Sequence, residues 1–424
     1  MNKYTKELIN FIKTSETAYQ AVDTIKATLD KNGYKELFEN KKFDVREDGK
    51  YYVVRNSSSI IAFKIGAINS DYSFKITASH SDSPCFKVKE NAEIKVKDKY
   101  MQLNTEGYGG MLLAPWFDRP LSIAGRIMVK SGNKIVEKHI SIDRDLLIIP
   151  NVAIHMNRKV NEGYAYNKQV DMVPLFGGAD CKEGAFKALI AKEAGVNVED
   201  IVGSDLFLYN RTPAAVLGAN EEFISAPRLD DLECAYSTLE AFINAKKSSG
   251  VSVFACFDNE EVGSGTGQGA GSTFLQDVLK RINIALGKSE EDYMCAVADS
   301  FMLSCDNAHA VHPNHPEKTD STNAVYMNEG IVIKSNANQK YTSDAVSIAK
   351  FKMICEKAKV PYQYFANRSD EAGGSTLGNI AMSQVSMHAI DIGLPQLAMH
   401  SPYETAGVKD IEYMVKAVKC FYEG

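Results

Sequence analysis

Apolar residues recur at helical spacing at the start of the chain. Tyr4, Leu8, Phe11 and Ile12 share one face of a first predicted helix. Val22, Ile25 and Leu29 share one face of a second, and Gly33 is a plausible stop. Three strand-like stretches follow at 51–55, 59–66 and 73–79, the last running into His80. From 92 to 222 the texture changes. The segment AEIKVKDKYMQL alternates apolar and polar residues, and LSIAGRIMVK and KIVEKHISI flank Ser131-Gly132-Asn133, a hairpin signature. This β-rich stretch is interrupted by one helical piece at 182–194. Beyond 222 strands and helices alternate. Helices are predicted at 229–247, 272–286, 343–359 and 403–422, and strands at 251–257, 293–298, 330–334 and 387–392.

Alternation of this kind predicts an α/β fold with a mixed, mostly parallel sheet flanked by helices. The simplest assembly is one discontinuous α/β domain from residues 1–91 and 223–424, with the β-rich residues 92–222 inserted into it. Length agrees, because 424 residues exceed what a single core of about 250–300 residues normally holds.

Composition removes several classes. With 45% hydrophobic and 24% charged residues, the chain is not a largely disordered one. A net charge of 48 − 54 = −6, spread along the chain, argues against a nucleic-acid binder held by phosphate contacts. There is no apolar run near 18 residues, so no membrane partner is expected, and MNKYTKELINFIKTSETAYQ is not expected to be a secretory signal. The eight cysteines stand singly without a CxxC pair, which suits small buried residues in a reducing, cytoplasmic setting better than a thiolate metal site.

The chemistry-bearing residues are dispersed, and HExxH is absent. His80 and Asp82 lie in ITASHSDSP, Asp230 and Asp231 in SAPRLDDLECAY, and Glu260 and Glu261 in VFACFDNEEVGSGTGQGAGS. Asp306 lies in DSFMLSCDNAHAVHPNHPEK and His400 in GLPQLAMHSPYETAG. Each follows a predicted strand or opens a helix, and open α/β sheets bind ligands beyond the carboxyl ends of their strands. Imidazole and carboxylate suit two divalent ions about 3.5–4 Å apart that share one carboxylate. Glu260-Glu261 offers a ligand and a base from adjacent positions, and Asp82 can orient the His80 imidazole. Taken singly each string reads blandly: a surface loop, a helix start favoured by the dipole, a proline-rich turn. The glycine-rich loop lacks the Lys and Ser/Thr of a P-loop.

Jointly the strings are specific. FIKTSETAYQAV, ASHSDSP, PWFDRPLSIAGR, IHMNRKVNEG, ISAPRLDD, FDNEEVGS, DNAHAVHPNHPEK, IKSNANQKY, GGSTLG and QLAMHSPYE span nearly the whole chain. In them the sequence resembles the dizinc aspartyl aminopeptidase or vacuolar aminopeptidase I family, as a shorter bacterial member. The resemblance implies a zinc-exopeptidase-like fold and two divalent ions per subunit, zinc first, with cobalt or manganese accepted by the same donors. By that resemblance His80 and Asp306 are terminal ligands of one ion, Glu261 and His400 of the other, and Asp230 bridges them. Glu260 is the general base and Asp82 the partner of His80. The β-rich insertion is implied to be a dimerisation domain whose IH motif, here His155, reaches the neighbour's active site. Dimers are implied to build a tetrahedral homododecamer. Two departures stand out: ASHSDSP continues as CFKVKE rather than a KP-like string, and Asp231 replaces a frequent Asn.

The expected function is a metalloaminopeptidase that removes an N-terminal residue from peptides, Asp or Glu by preference. Lys334, with Tyr341 nearby, is the candidate partner for an acidic side chain. The alternatives are a broad-specificity or glutamyl dizinc aminopeptidase, a carboxypeptidase-like amidohydrolase, or a non-catalytic peptide-binding scaffold.

Overall fold

Asn2 opens the first helix, Lys3–Lys13, by accepting the Thr5 N–H on its side-chain oxygen at 2.8 Å, and the helix turns Leu8, Phe11 and Ile12 inward. In a computed structural model that describes residues 2–69 and 71–424, this helix belongs to the first of two compact units. That unit comprises the chain up to Asp82, Ala214–Met399 and Glu404–Gly424; the second comprises Ser83–Pro213 with His400–Tyr403. The strand Cys85–Val96 therefore runs unbroken past residue 91 within the second unit.

The first unit is organised by a nine-stranded sheet. Its spatial order is Lys35–Glu36, Lys50–Arg55, Ser59–Ile65, Val251–Phe257, Phe74–His80, Phe301–Cys305, His388–Gly393, Ile331–Ser335 and Tyr362–Ala366. The four strands from Val251–Phe257 to His388–Gly393 are mutually parallel, while Ser59–Ile65 and Ile331–Ser335 join them antiparallel. The fold is thus a mixed, mostly parallel α/β sheet flanked by helices. Parallel pairing puts the carboxyl ends Phe257, His80, Cys305 and Gly393 along one edge, with Phe257 opposite His80 in register.

Both faces of the sheet are buried, which is why its strands read as continuous apolar runs. Ile60, Ala62, Phe254, Cys256, Leu303 and Ile390 meet the helices Lys3–Lys13, Ala18–Lys31, Leu229–Asn244, Ala345–Ala358 and Val408–Glu423. The intervening residues Ile61, Phe63, Val253, Ala255, Met302 and Ala389 face Phe274–Ala285, Glu290–Ala298 and Leu377–Ala381. A second, five-stranded sheet in this unit runs Ala215–Leu217, Phe223–Ala226, Glu404–Gly407, Pro395–Leu397 and Ala308–His309.

The second unit is an antiparallel six-stranded sheet around a core that includes Phe86, Leu103, Trp116, Ile123, Ile127, Leu206 and Leu208. Ser131 pairs with Lys134, so Gly132-Asn133 is a two-residue hairpin turn, with Gly132 at φ +60°. Helix Ala185–Ala194 packs on this core through Phe186, Ile190 and Ala191.

Three sequence expectations are corrected. Residues 293–298 are helical, within Glu290–Ala298, because Ser289 and Asp292 form a reciprocal capping box that starts a helix there; the strand is Phe301–Cys305. The closing helix begins at Val408, since Glu404–Gly407 is a strand paired with Phe223–Ala226. Strand Tyr362–Ala366, with tyrosines at 362 and 364, was not anticipated. Among the described residues no helix is long and apolar enough to cross a membrane.

Helix Leu229–Asn244 carries Asp230 and Asp231 at one end and is held at the other by a buried lysine. Lys64 Nζ donates to Phe242 O at 2.5 Å and Ala245 O at 2.9 Å. Burial lowers its pKa to about 8. The unfolded chain then binds the extra proton between pH 8 and the ordinary lysine range, so stability rises with pH across that window, by at most about 3 kcal/mol. Chemical denaturation between pH 7.5 and 10.5 should show this rise, and Lys64→Met should flatten it; an unchanged slope in the variant would refute the assignment.

Candidate metal centre

The edge at the carboxyl ends of the parallel strands gathers the polar residues. His80 ends its strand and is buried. Its backbone N–H donates to Asp231 Oδ2 at 3.0 Å. Its Nδ1 lies 3.0 Å from Asp82 O, a contact that fits an Nδ1–H donor and turns Nε2 toward the carboxylates. Nε2 is 3.4 Å from Asp230 Oδ1 and 3.8 Å from Asp306 Oδ1.

Asp82 does a second job that sequence alone did not reveal. Its two carboxylate oxygens accept the Glu260 and Glu261 backbone N–H groups, each at 3.2 Å. The loop that presents these glutamates is a short 3₁₀ turn, Glu260–Val262, between Asn259 at φ +62° and Gly263 at φ +93°. Ahead of Asp230, Arg228 is pinned by donating to Ser15 O and Ile12 O, and the Asp230 N–H donates to Glu404 Oε2 at 3.0 Å.

Within the first unit two groups of donor atoms result, each lying within a span of 4.8 Å: His80 with Asp230, Asp231 and Asp306, and His80 with Glu260 and Glu261. Anionic charge is therefore concentrated in a buried place. Burial, followed by the neighbouring carboxylates Asp306, Asp82 and Asp230, pushes Glu260 up to about 8 against the opposing effect of His80. Burial likewise drives Asp231 well above the ordinary carboxylate range. For His80 burial disfavours the charged form, but Asp231, Asp230, Asp306 and Asp82 outweigh it and raise its pKa. Asp231 Oδ1 is buried and accepts no hydrogen bond among the described residues. Carboxylates this close either take up protons or share a cation, and an imidazole–carboxylate set without thiolate fits zinc, cobalt or manganese.

Lys334 is buried rather than solvated at a strand end. Its Nζ donates to Asn307 O at 2.7 Å, lies 3.4 Å from Asp306 Oδ2, and sits 5.7 Å from the centre of the buried Tyr341 ring. In the second unit, His400 adopts φ +66° and its Nδ1 lies 2.8 Å from Gly110 O. His155, in the same unit, is exposed. The histidines of HAVHPNHPEK stand apart from both donor groups: the His312 and His315 rings lie 5.2 Å apart, and His315 contacts Glu317. Sequence reasoning also passed over Glu404 and Asn307, whose only visible sign was their proximity to His400 and Asp306 along the chain.

A mixed α/β sheet with such a donor set at its carboxyl edge defines a metal-dependent hydrolase of the zinc exopeptidase class. The profile of the aminopeptidase I zinc metalloprotease (M18) family matches residues 11–422, and the chain belongs to that family: it is a zinc aminopeptidase. A probable M18 family aminopeptidase 2 of Clostridium acetobutylicum is 47% identical over 426 residues, covering 99% of this chain and 98% of the relative. A chain in the cryo-EM structure of the Ape4 and Nbr1 complex superposes with a TM-score of 0.96 at 34% identity, covering 99% of this chain and 85% of that one. The S. cerevisiae mApe1 dodecamer gives a TM-score of 0.87 at 27% identity, with 99% and 96% covered.

The Asp231–His80 bond predicts a contrast between two variants. Asp231→Asn keeps an oxygen for the His80 N–H and should unfold at nearly the wild-type denaturant midpoint. Asp231→Leu strands that buried donor and should cost about 1–3 kcal/mol. Equal midpoints for Leu and Asn would show that the hydrogen bond contributes nothing.

Proposed function

We propose that this aminopeptidase works through a dinuclear centre in which His80 and Asp306 hold one ion, Glu261 and His400 the other, and Asp230 bridges them. The observation that carries the reading is the convergence of His80, Asp230 and Asp306, and of His80 with Glu260 and Glu261, on one sheet edge. His400 enters by family resemblance and by its place directly after Met399, at the end of the first unit's stretch Ala214–Met399. When bound, the metal supplies Lewis-acid polarisation of the scissile carbonyl and acidifies the attacking water.

Glu260 is the general base. Its carboxyl stands beside that of Glu261 in the donor group with His80, where it would take a proton from the attacking water and return it to the departing amine. Asp82 is its partner, holding the Glu260 and Glu261 backbone in place and orienting His80. The second unit acts as a dimerisation domain, and His155 of a neighbouring subunit helps hold the developing oxyanion. The dodecamer of mApe1 supports a homo-oligomer here, and by family resemblance its proposed form is dimers in tetrahedral arrangement. The physiological metal is zinc and the setting cytoplasmic.

The substrate reading is a peptide with an acidic first residue, recognised by Lys334 beside Tyr341. A broader specificity is the competing reading, and the 3.4 Å approach of Lys334 to Asp306 favours it, because that charge is already engaged.

Three experiments test these claims. Release of a free N-terminal residue should disappear with chelator and return with zinc. Glu260→Ala should keep its metal yet lose at least about 10³-fold in kcat, beyond what one acid–base group of 10²–10⁴ commonly supplies at its low end; near-normal turnover would remove Glu260 as the base. With Asp-, Glu- and Leu-arylamides, Lys334→Ala should lose at least about tenfold more on the acidic pair, a difference near 1.4 kcal/mol. Equal loss on all three would instead assign Lys334 to holding Asp306.

A further inference from the structure

Glu404 lies in the strand that pairs with Phe223–Ala226, directly opposite Ala226 in register. Four residues after Ala226 comes Asp230, whose N–H donates to Glu404 Oε2 at 3.0 Å. Asp230 has non-helical backbone (φ −80°, ψ 106°) at the start of Leu229–Asn244, and Glu404 satisfies its buried N–H. From Glu404 a buried polar chain continues. Gln396 Nε2 donates to Glu404 Oε1 at 3.5 Å, and Asn307 Nδ2 donates to Gln396 Oε1 at 3.0 Å and to Glu233 Oε2 at 2.9 Å. The Asn307 carbonyl accepts from Lys334 Nζ at 2.7 Å, and the same ammonium lies 3.4 Å from Asp306 Oδ2. Glu404, Gln396, Asn307, Glu233 and Lys334 are all less than 5% exposed.

An apolar filling would hold these strands together without burying two glutamates and a lysine, groups that are costly to take out of water. This chain ends on Asp230 at one side and on Asp306 at the other. Resting on the dinuclear reading above, we propose that Glu404 is a positioning residue for the bridging carboxylate, and that the Glu404–Gln396–Asn307–Lys334 chain sets the separation of Asp230 and Asp306. Partners behind a ligand typically influence metal affinity by about 10–100-fold.

The test is metal affinity by chelator competition, with the visible absorption spectrum of the cobalt-loaded protein as a second readout, on full-length wild type, E404A, E404Q and Q396M. E404A removes the acceptor for the Asp230 N–H and should weaken one of two ions by about 10–100-fold and shift the cobalt bands. E404Q keeps an amide oxygen there and should recover to within a few-fold of wild type. Q396M breaks the chain in its middle at nearly constant volume, and should weaken the same ion by a smaller factor; it decides the matter if E404A does not fold. Two wild-type affinities and an unchanged spectrum in E404A, or in Q396M where it stands in, would overturn the proposal, as would E404Q matching E404A. Fewer than two ions in the wild type would overturn the dinuclear reading and the inference with it.

Discussion

Like charge held in a small dry space is the constraint on which the rest depends. Asp82, Asp230, Asp231, Asp306, Glu260 and Glu261 surround one buried imidazole, and the Lys334 ammonium lies 3.4 Å from Asp306 Oδ2. Left to themselves such groups neutralise by taking up protons, which is what the raised positions of Glu260 and Asp231 express. A divalent cation resolves the same conflict without protons. The arrangement that is awkward for a folded chain alone is therefore a binding site for metal, and the affinity it provides is linked to folding.

The fold holds these groups against their repulsion by distributing them. They come from four segments, and His80, Glu260, Glu261 and Asp230 are secured through their backbone N–H groups. Asp231 takes the His80 N–H, Asp82 takes the N–H groups of both glutamates, and Glu404 takes that of Asp230. The sheet contributes rigidity, because its central strands are buried on both faces and end in register along one edge. Reactivity is placed on the short loops beyond that edge, where Asn259 and Arg228 adopt left-handed backbone at φ +62° and +59°.

Much of this was legible in the sequence because the signals were local. Helix faces, the Gly132-Asn133 hairpin and the apolar runs of a sheet covered on both sides follow from spacing alone. Among the donor residues, His80 ends a predicted strand and Glu260 and Glu261 come shortly after another. The failures were also physical. YMCAVA is an apolar run too short to separate strand from helix, and the capping box at Ser289–Asp292 decided it. Asp231 looked like an additional charge, whereas burial raises its pKa and its oxygen serves a backbone donor 151 residues away. Lys334 reads from sequence as a partner for an acidic substrate side chain, and only packing shows it against Asp306. Glu404 reaches Asp230 across 174 residues, a contact that no local pattern encodes.

The central claim is that one carboxylate, Asp230, bridges two metal ions held by residues of separate segments. Anomalous diffraction at the zinc edge, on crystals of the zinc-loaded enzyme, tests it most directly. Two peaks about 3.5–4 Å apart, flanking the Asp230 carboxylate, are the predicted result. A single peak, or two peaks that do not share Asp230, would contradict the account.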